Sequence, residues 1–395
     1  MVYNRLSRYY SSRDSYTAVV NRVSRKERNP TFKGSGGTQT KDSGVRKEKD
    51  CDINWRVTMK SYERMINLFE GKPVDRLPAQ PICMTFAARL SGVKYYDYVT
   101  DYRVLVSAQL KTYEEFGFDI VTLCSDPCRE AVDCGAEVRW FEDQPPAHDP
   151  NNSLLKDKNK LLSLKQPDPL SGGQMHDRVK GAELFREKVG GEIPILGWIE
   201  GPMAEGADLR GFDIMMDIVD DPKFVIDLFE FITEMEINFA KAQIDAGVDI
   251  IGIGDAAASL VGADMYREYI LPYEKRMIDA IHEMGCLVRL HICGNINHLL
   301  QDMSSLNVDM FDIDFLTNLR LAKDILGSDV AILGNIEPVK YFLESTAEDV
   351  YNGLFECHQI VGDKYVVGPG CEVPPRSKYE NVRAIMEYAN ATARR

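Results

Sequence analysis

Short apolar runs alternate with longer amphipathic patterns along most of the chain. An amphipathic helix is predicted from about Thr58 to Gly71, where Pro73 follows. Eight apolar runs come after it, each of a length typical of a buried strand. They cover residues 77–84, 118–123, 193–199, 248–253, 286–292, 308–313, 330–334 and 365–367. Helical patterns lie between most of these runs, such as those over residues 222–246 and 264–284.

Eight alternations of strand and helix predict an α/β protein built as a (β/α)8 TIM barrel, with parallel strands covered by helices. We place this single domain at residues 56–395. A doubly wound open sheet is the alternative, since it has the same alternation. The long interval over residues 124–192, with its turn-rich stretch at 145–152, is interpreted as an insertion on the barrel.

Residues 1–55 have no sustained apolar period and are rich in Ser, Arg, Lys, Asn and Gly, so we predict a disordered basic extension. Residues 1–50 contain twelve Lys or Arg against five Asp or Glu, a net charge of +7. The whole chain has a net charge of −14, so the remaining residues carry −21. An acidic body disfavours nucleic acid as the partner. A phosphate-binding tail and a transit peptide remain alternatives for the extension.

Composition is that of a globular protein with a large core, at 44% apolar and 27% charged residues. No apolar run reaches the roughly 18 residues that span a bilayer, and the amino terminus lacks a hydrophobic signal segment, so we expect a cytoplasmic protein without a membrane partner. Nine cysteines without regular spacing fit a reducing compartment and leave thiolates free for metal.

A candidate metal site lies at the ends of two of the predicted strands. His291 and Cys293 close the fifth run, and residues i and i+2 of a strand point to the same side. Cys371 closes the eighth run. Imidazole nitrogen and thiolate sulfur are ligands that zinc prefers, so the three residues predict a zinc site. In the alternative, each cysteine is a small buried apolar residue.

Polar residues after the sixth and seventh runs extend this candidate site. Asp314 is the candidate for a displaceable fourth ligand, because catalytic zinc keeps a position that substrate can take. The alternative is that Asp314 accepts a hydrogen bond from the ring of His291. Glu337 competes for the ligand position, and both Asn335 and Glu337 are predicted to contact the cofactor.

Carboxylates close three of the earlier runs. Asp126, Glu200 and Asp255 follow the second, third and fourth runs, and barrel enzymes carry their chemistry at the carboxyl ends of the strands. We predict catalytic roles for all three. Asp126 and Asp255 would orient a substrate, or each would serve as a helix N-cap. The sequence from Gly252 to Asp255 lacks the third glycine of a dinucleotide-binding turn.

These segments resemble the uroporphyrinogen decarboxylase superfamily over about residues 57–392. Within it they are similar to the branch of methylcobamide:coenzyme M methyltransferases and related bacterial corrinoid enzymes. His-x-Cys with a distant Cys is specific to that zinc branch. The resemblance rests on Pro73-Val74-Asp75-Arg76-Leu77-Pro78, Gly201-Pro202, Ser259, Tyr269 and Pro272 within residues 255–272, His291-Ile292-Cys293-Gly294, Gly334-Asn335-Ile336, residues 368–371, Pro374 and Glu380-Asn381.

The resemblance implies a zinc-dependent methyltransferase that works with a corrinoid. Methyl would pass between the cobalt of the corrinoid and a thiol, or from a methyl ether or alcohol to the cobalt, and both directions are open. The chain contains no Asp-x-His-x-x-Gly pattern of the kind that ligates cobalt, so a separate corrinoid-binding protein is the expected partner, together with a small-molecule methyl donor or acceptor.

Decarboxylation of a porphyrinogen is the second hypothesis. Ser125-Asp126 resembles the active-site aspartate region of the decarboxylases. In the decarboxylases, an arginine-rich amino-terminal segment binds the substrate carboxylates. The equivalent residues 78–89 here contain a single arginine, Arg89. Several carboxylates need several guanidinium donors, so this reaction is disfavoured. A third hypothesis is a barrel that docks a corrinoid protein without catalysis.

Overall fold

The computed structural model of the chain describes residues 59–149 and 152–393. The predictions for residues 1–55 and the boundary after residue 55 lie outside the described residues. Seven strands form one parallel sheet whose spatial order follows the chain. They are β1 Val121–Thr122, β2 Ile195–Glu200, β3 Ile250–Gly254, β4 Leu287–Ile292, β5 Met310–Ile313, β6 Ala331–Leu333 and β7 Tyr365–Val366.

The first apolar run, residues 77–84, closes the sheet into a barrel. On one side the backbone N–H of Gln80 donates to the carbonyl of Val367, just past β7, at 3.0 Å. On the other side the N–H of Asp119, just before β1, donates to the carbonyl of Ala79 at 2.8 Å. One segment therefore joins both edges of the sheet, which confirms the barrel and excludes the open sheet.

This closing segment forms two isolated bridges where a full strand was predicted. Ala79 pairs with Val367, and Ile82 pairs with Glu372, both in the parallel sense. Pro78 and Pro81 flank these positions. A proline has no backbone N–H, so it cannot donate to a continuous ladder of hydrogen bonds.

Helices separate the strands along the chain and pack on the sheet and on one another. Among the described residues, no helix combines the length and apolar character needed to cross a bilayer. The helices are α1 Ser61–Phe69, α2 Thr85–Ser91, α3 Tyr95–Thr100, α4 Tyr102–Phe116, α5 Arg129–Asp133, α6 Gly173–Val189, α7 Pro202–Arg210, α8 Ile214–Asp220, α9 Pro222–Asp245, α10 Ala263–Met265, α11 Leu271–Glu283, α12 Leu300–Met303, α13 Leu319–Leu326, α14 Ala347–Val361 and α15 Tyr379–Ala391.

The pattern over residues 264–284 forms an interrupted helix. Between α10 and α11 the turn Tyr266–Ile270 is π-helical. Pro272 lies at the start of α11 and cannot donate the i to i−4 hydrogen bond of a regular helix. The predicted insertion over residues 124–192 contains α5 and α6, a 3-10 helix at Lys158–Ser163 and a small antiparallel hairpin of Val138–Arg139 with Ala147–His148.

Buried ion pairs explain the Asp-Arg pair in the sequence motif at residues 73–78. Asp119 is fully buried and accepts hydrogen bonds from both Arg64 and Arg76, each at 2.7 Å. Arg64 also donates to Asp75 at 2.7 Å. These residues precede β1, at the amino ends of the strands, so this part of the motif stabilises the end of the barrel opposite to the expected active site.

Glycines on β3 make room for the one tryptophan of β2. A Cβ atom at Gly252 would lie 2.4 Å from the ring of Trp198, and one at Gly254 would lie 3.0 Å from the same ring. The Gly-Ile-Gly sequence therefore serves packing inside the barrel.

Gly252→Ala is expected to lower the free energy of unfolding by about 1–3 kcal/mol, because the added methyl forces the Trp198 ring to move in a packed interior. Urea denaturation followed by tryptophan fluorescence measures the loss. The matched control is Gly262→Ala, since a Cβ atom there meets nothing within 4 Å. Equal stability of the two variants would contradict the packing argument.

Candidate metal centre

Three potential ligands from two distant segments meet at the carboxyl ends of the strands. His291 Nε2 lies 2.8 Å from Cys293 Sγ, which lies 3.8 Å from Cys371 Sγ. One ligand atom from each residue lies within 4.8 Å of the other two. The sulfur–sulfur distance is well beyond the ~2.0 Å of a disulfide. His291 is buried, whereas both cysteines are partly exposed, so the group opens towards the mouth of the barrel.

The position of Cys371 depends on a glycine and on an anchored glutamate. A Cβ atom at Gly370 would lie 1.7 Å from the carbonyl oxygen of Ile313, the last residue of β5. Only glycine therefore lets this loop pass so close to the sheet. On the other side of Cys371, the half-buried Glu372 carboxylate accepts hydrogen bonds from the backbone N–H and the hydroxyl of Thr85, at 2.7 and 2.6 Å.

A buried ion pair lies directly behind His291. Asp312 on β5 has one carboxylate oxygen 3.4 Å from His291 Nδ1, and its two oxygens share the Nε–H of Arg289, each at 2.8 Å. A carboxylate in this place orients an imidazole so that its other nitrogen faces a metal. The position next to Nδ1 thus belongs to Asp312, and the carboxylate of Asp314 accepts from the backbone N–H of Leu316 at 2.9 Å.

Sequence reasoning missed Arg289 and Asp312. Both are charged residues in the middle of apolar runs, at positions whose side chains point to the same face as His291 and Asp314 respectively. That pattern is the signal that could have found them, because a fully buried charge needs a partner.

The charges of the group favour a thiolate. A hydrogen bond from Cys293 lowers the pKa of Cys371 well below its usual value, although burial opposes this, and the same hydrogen bond raises the pKa of Cys293. Burial by itself would lower the pKa of His291, but Asp312 and Cys371 raise it to about 10. Two sulfurs and one imidazole within coordinating distance of a common point fit the donor set of zinc.

Asp314 directly follows β5, and Asn335 and Glu337 lie in the loop after β6. Burial, followed by the charge of Cys371, raises the pKa of Asp314 to about 6, but no oxygen of Asp314 joins the close set of three ligand atoms. The amide of Asn335 donates to the carbonyls of Asp314 and Thr317 at 3.1 and 2.8 Å, so it holds this loop in place. Glu337 is half-buried two residues further on.

Two of the predicted catalytic carboxylates lie in a second polar region around Arg129. Glu200, the last residue of β2, accepts hydrogen bonds from Trp198 Nε1 at 3.1 Å and from Arg129 at 3.3 Å. Burial raises the pKa of Glu200 well above its usual value, and Arg129 opposes the shift. Asp126 accepts from the hydroxyl of Ser125 at 2.8 Å and the N–H of Cys128 at 3.0 Å. The Trp198 ring lies between this region and His291, with ring centroids 6.3 Å apart.

Asp255 caps a helix that is not its own. It accepts hydrogen bonds from Met203 N–H at 3.4 Å and Ala204 N–H at 2.6 Å, both in the first turn of α7. A Cβ atom at Gly201 would meet the Asp255 side chain at 2.4 Å, so the glycine permits this contact. Burial and the neighbouring Glu274 raise the pKa of Asp255 well above its usual value. Asp255 therefore holds α7 against β3 and is not among the ligand atoms near His291.

The structure is thus a closed parallel α/β barrel with an imidazole and two thiols grouped at the carboxyl ends of its strands. The uroporphyrinogen decarboxylase (URO-D) family model matches residues 60–392, and the chain belongs to this family.

Several relatives share most of its length. A methylcobamide:CoM methyltransferase of Methanosarcina acetivorans is 27% identical over 337 residues, covering 83% of this chain and 96% of the relative. A uroporphyrinogen decarboxylase of Campylobacter fetus is 24% identical over 339 residues, covering 79% and 93%. The structure of a methyltransferase from Methanosarcina mazei matches with a TM-score of 0.77 at 22% identity, covering 84% and 99%. The resemblance that the sequence indicated is confirmed.

Proposed function

We propose that this protein is a zinc-dependent methyltransferase that moves a methyl group between the corrinoid of a carrier protein and a small substrate, a thiol or a methyl ether or alcohol. The observation that carries the proposal is the convergence of His291, Cys293 and Cys371 at the mouth of the barrel. The similarity to methylcobamide:CoM methyltransferases supports it.

The three ligands would hold zinc, which would lower the pKa of a bound substrate thiol and keep it a nucleophile at neutral pH. The carboxylate of Asp312 lies 3.4 Å from Nδ1 of His291, which leaves Nε2 on the side of the sulfurs. The partly exposed side of the group faces the barrel mouth, where substrate enters. In the direction of a thiol acceptor, the corrinoid of the partner protein would supply the methyl group and keep the electron pair of its bond to carbon, and the substrate thiolate would accept the methyl.

Asp314 is retained in the proposal as a residue beside the metal. Its carboxylate lies close enough to Cys371 for the two charges to interact, and it sits on a loop fixed by Asn335. We propose that Asp314 and Glu337 line the substrate side of the site. For Asp126 and Glu200, on the far side of Trp198, we propose a role in orienting the substrate.

The arginines of the described barrel argue against decarboxylation of a porphyrinogen. Arg89 is exposed on α2. Arg289 is paired with Asp312 inside the barrel, and Arg129 is paired with Glu130 and Glu200. Guanidinium groups that already neutralise buried carboxylates are not free to bind those of a substrate.

Zinc-loaded protein is expected to demethylate free methylcobalamin in the presence of a thiol, because the metal centre lies on the side of the barrel where substrate binds. The measurement is the change in cobalamin absorbance over a panel of thiols, with methylated thiol counted by mass spectrometry. Protein stripped of zinc is the control, with activity restored by added zinc. Equal rates with and without zinc would exclude the proposal, and zinc binding without any methyl transfer would favour the docking hypothesis.

A further inference from the structure

Three buried glutamates meet where helices pack beside β2, and none of them belongs to the candidate metal centre. Glu130 on α5, Glu205 on α7 and Glu236 on α9 are fully buried, and one carboxylate oxygen from each lies within 4.8 Å of the other two. Helix α7 packs against both α5 and α9, and α9 packs on β2. The packing of three helices thus forces three acidic side chains into one small volume.

These carboxylates lack the hydrogen bonds that buried oxygens require. Neither oxygen of Glu205 has a hydrogen-bond partner among the described residues, and the same holds for Glu236 and for Oε2 of Glu130. Burial and then the charge of Glu130 raise the pKa of Glu236 well above its usual value, and the backbone N–H of Glu200 opposes the shift. The hydroxyl of Thr233, one turn before Glu236 on α9, is also buried without a partner. Buried polar groups in folded proteins are normally bonded, so such a set points to a missing ligand.

Within the described ranges, one guanidinium, that of Arg129, forms ion pairs at this cluster. Arg129 donates to Glu130 at 2.9 Å and to Glu200 at 3.3 Å. Among the described residues, no other ion pair reaches Glu130, Glu200, Glu205 or Glu236. Burial and then the charge of Glu130 raise the pKa of Glu205 well above its usual value, so a bare carboxylate is unstable there. A bound cation or a set of shared protons must balance the charge.

We propose that Glu130, Glu205 and Glu236 form a second metal site, which binds a hard divalent cation such as Mn²⁺, Mg²⁺ or Ca²⁺. The donors are all oxygens, which hard cations prefer, in contrast to the sulfur and nitrogen of the candidate zinc site. Ligand oxygens around a cation with bonds of about 2.3–2.6 Å lie at most about 4.6–5.2 Å apart. The three carboxylate oxygens lie within 4.8 Å of one another, so one cation can reach all of them.

The cation would act as a structural and positioning element. It would neutralise the carboxylates of Glu130, Glu205 and Glu236. The guanidinium of Arg129 would then be free to pair with Glu200 at the carboxyl end of β2. The site shares no residue with the candidate zinc centre, so it stands or falls independently of the proposed function.

Manganese is the probe, because free Mn²⁺ is counted directly by electron paramagnetic resonance. Zinc-loaded protein is expected to bind one Mn²⁺ per chain tightly. The Cys293→Ala, Cys371→Ala variant should also bind one, which separates this site from the sulfur site. A Glu205→Gln, Glu236→Gln variant should bind none and keep its zinc. Glu234→Gln, an exposed position on the same helix α9, is the matched control and should bind like the wild type.

Failure has three clear forms. The proposal is overturned if the wild type binds no Mn²⁺, Mg²⁺ or Ca²⁺ at millimolar concentration, or if the Glu205→Gln, Glu236→Gln variant binds as many ions as the wild type. If that variant does not fold, the test is the melting temperature of the wild type and of the Cys293→Ala, Cys371→Ala variant, each measured with and without Mn²⁺. A rise in both with Mn²⁺ supports the site, whereas no rise overturns it and leaves shared protons as the explanation.

Discussion

Zinc is expected to fall from one equivalent per chain to none in a Cys293→Ala, Cys371→Ala double variant, and methyl transfer is expected to fall to the level of metal-free protein. The substitutions remove two of the three donor atoms. The loss of zinc affinity should therefore far exceed the ~10–100-fold loss that follows from changing a residue that hydrogen-bonds to a ligand. Both cysteines are partly exposed near the mouth, so the barrel core loses little packing.

The measurement is metal content by mass spectrometry on purified protein, together with the methylcobalamin assay. The matched control replaces two other cysteines, Cys134→Ala and Cys286→Ala, neither of which belongs to the group of three ligand atoms. Cys286 directly precedes β4, the strand that carries His291, so this control perturbs the same strand at its other end. Retention of stoichiometric zinc by the Cys293→Ala, Cys371→Ala variant would refute the assignment of the ligands.

Asp312→Ala should produce the largest loss of stability, about 3–5 kcal/mol in the free energy of unfolding of the metal-free protein. The substitution leaves the guanidinium of Arg289 buried, with no exposed surface, and without its charged partner. Zinc affinity should also fall by about 10–100-fold, because Nδ1 of His291 loses the carboxylate that orients the ring. Urea denaturation and competitive zinc titration measure the two effects.

A second substitution separates these two roles of Asp312. Adding Arg289→Met to Asp312→Ala removes the unpaired charge, so most of the lost stability should return. Zinc affinity should stay low, since His291 still lacks its partner. If the double variant regained full zinc affinity, Asp312 would act on the site through Arg289 and not through His291.

The periodicity of the sequence was enough to predict the strands that carry the site. Seven of the eight apolar runs contain the strands of the barrel, and the residues that close them lie at one edge because parallel strands end on the same side. The His-x-Cys pair needed no tertiary information, because alternate residues of a strand share a face. The prediction of a full strand over residues 77–84 was wrong, because prolines limit this segment to two isolated bridges.

Roles that depend on a partner far along the chain were not predictable in this way. Asp255 had two interpretations from the sequence, and the structure shows it capping α7, which begins 53 residues earlier and belongs to the preceding strand–helix unit. Arg289 and Asp312 looked like interruptions of apolar runs until the register of β4 with β5 brought them together. The glutamates on α5, α7 and α9 gave no sequence signal at all.

The sequence by itself determined the order of strands and helices, the edge of the sheet at which the candidate site lies, and the pair of candidate ligands at the end of one strand. Each of these follows from interactions over a few residues. Only the tertiary structure decided that Cys371 lies 3.8 Å from Cys293, a residue 78 positions away. That distance depends on the closure of the barrel and on the close approach of Gly370 to Ile313. Both result from packing between distant segments, which local sequence patterns do not encode.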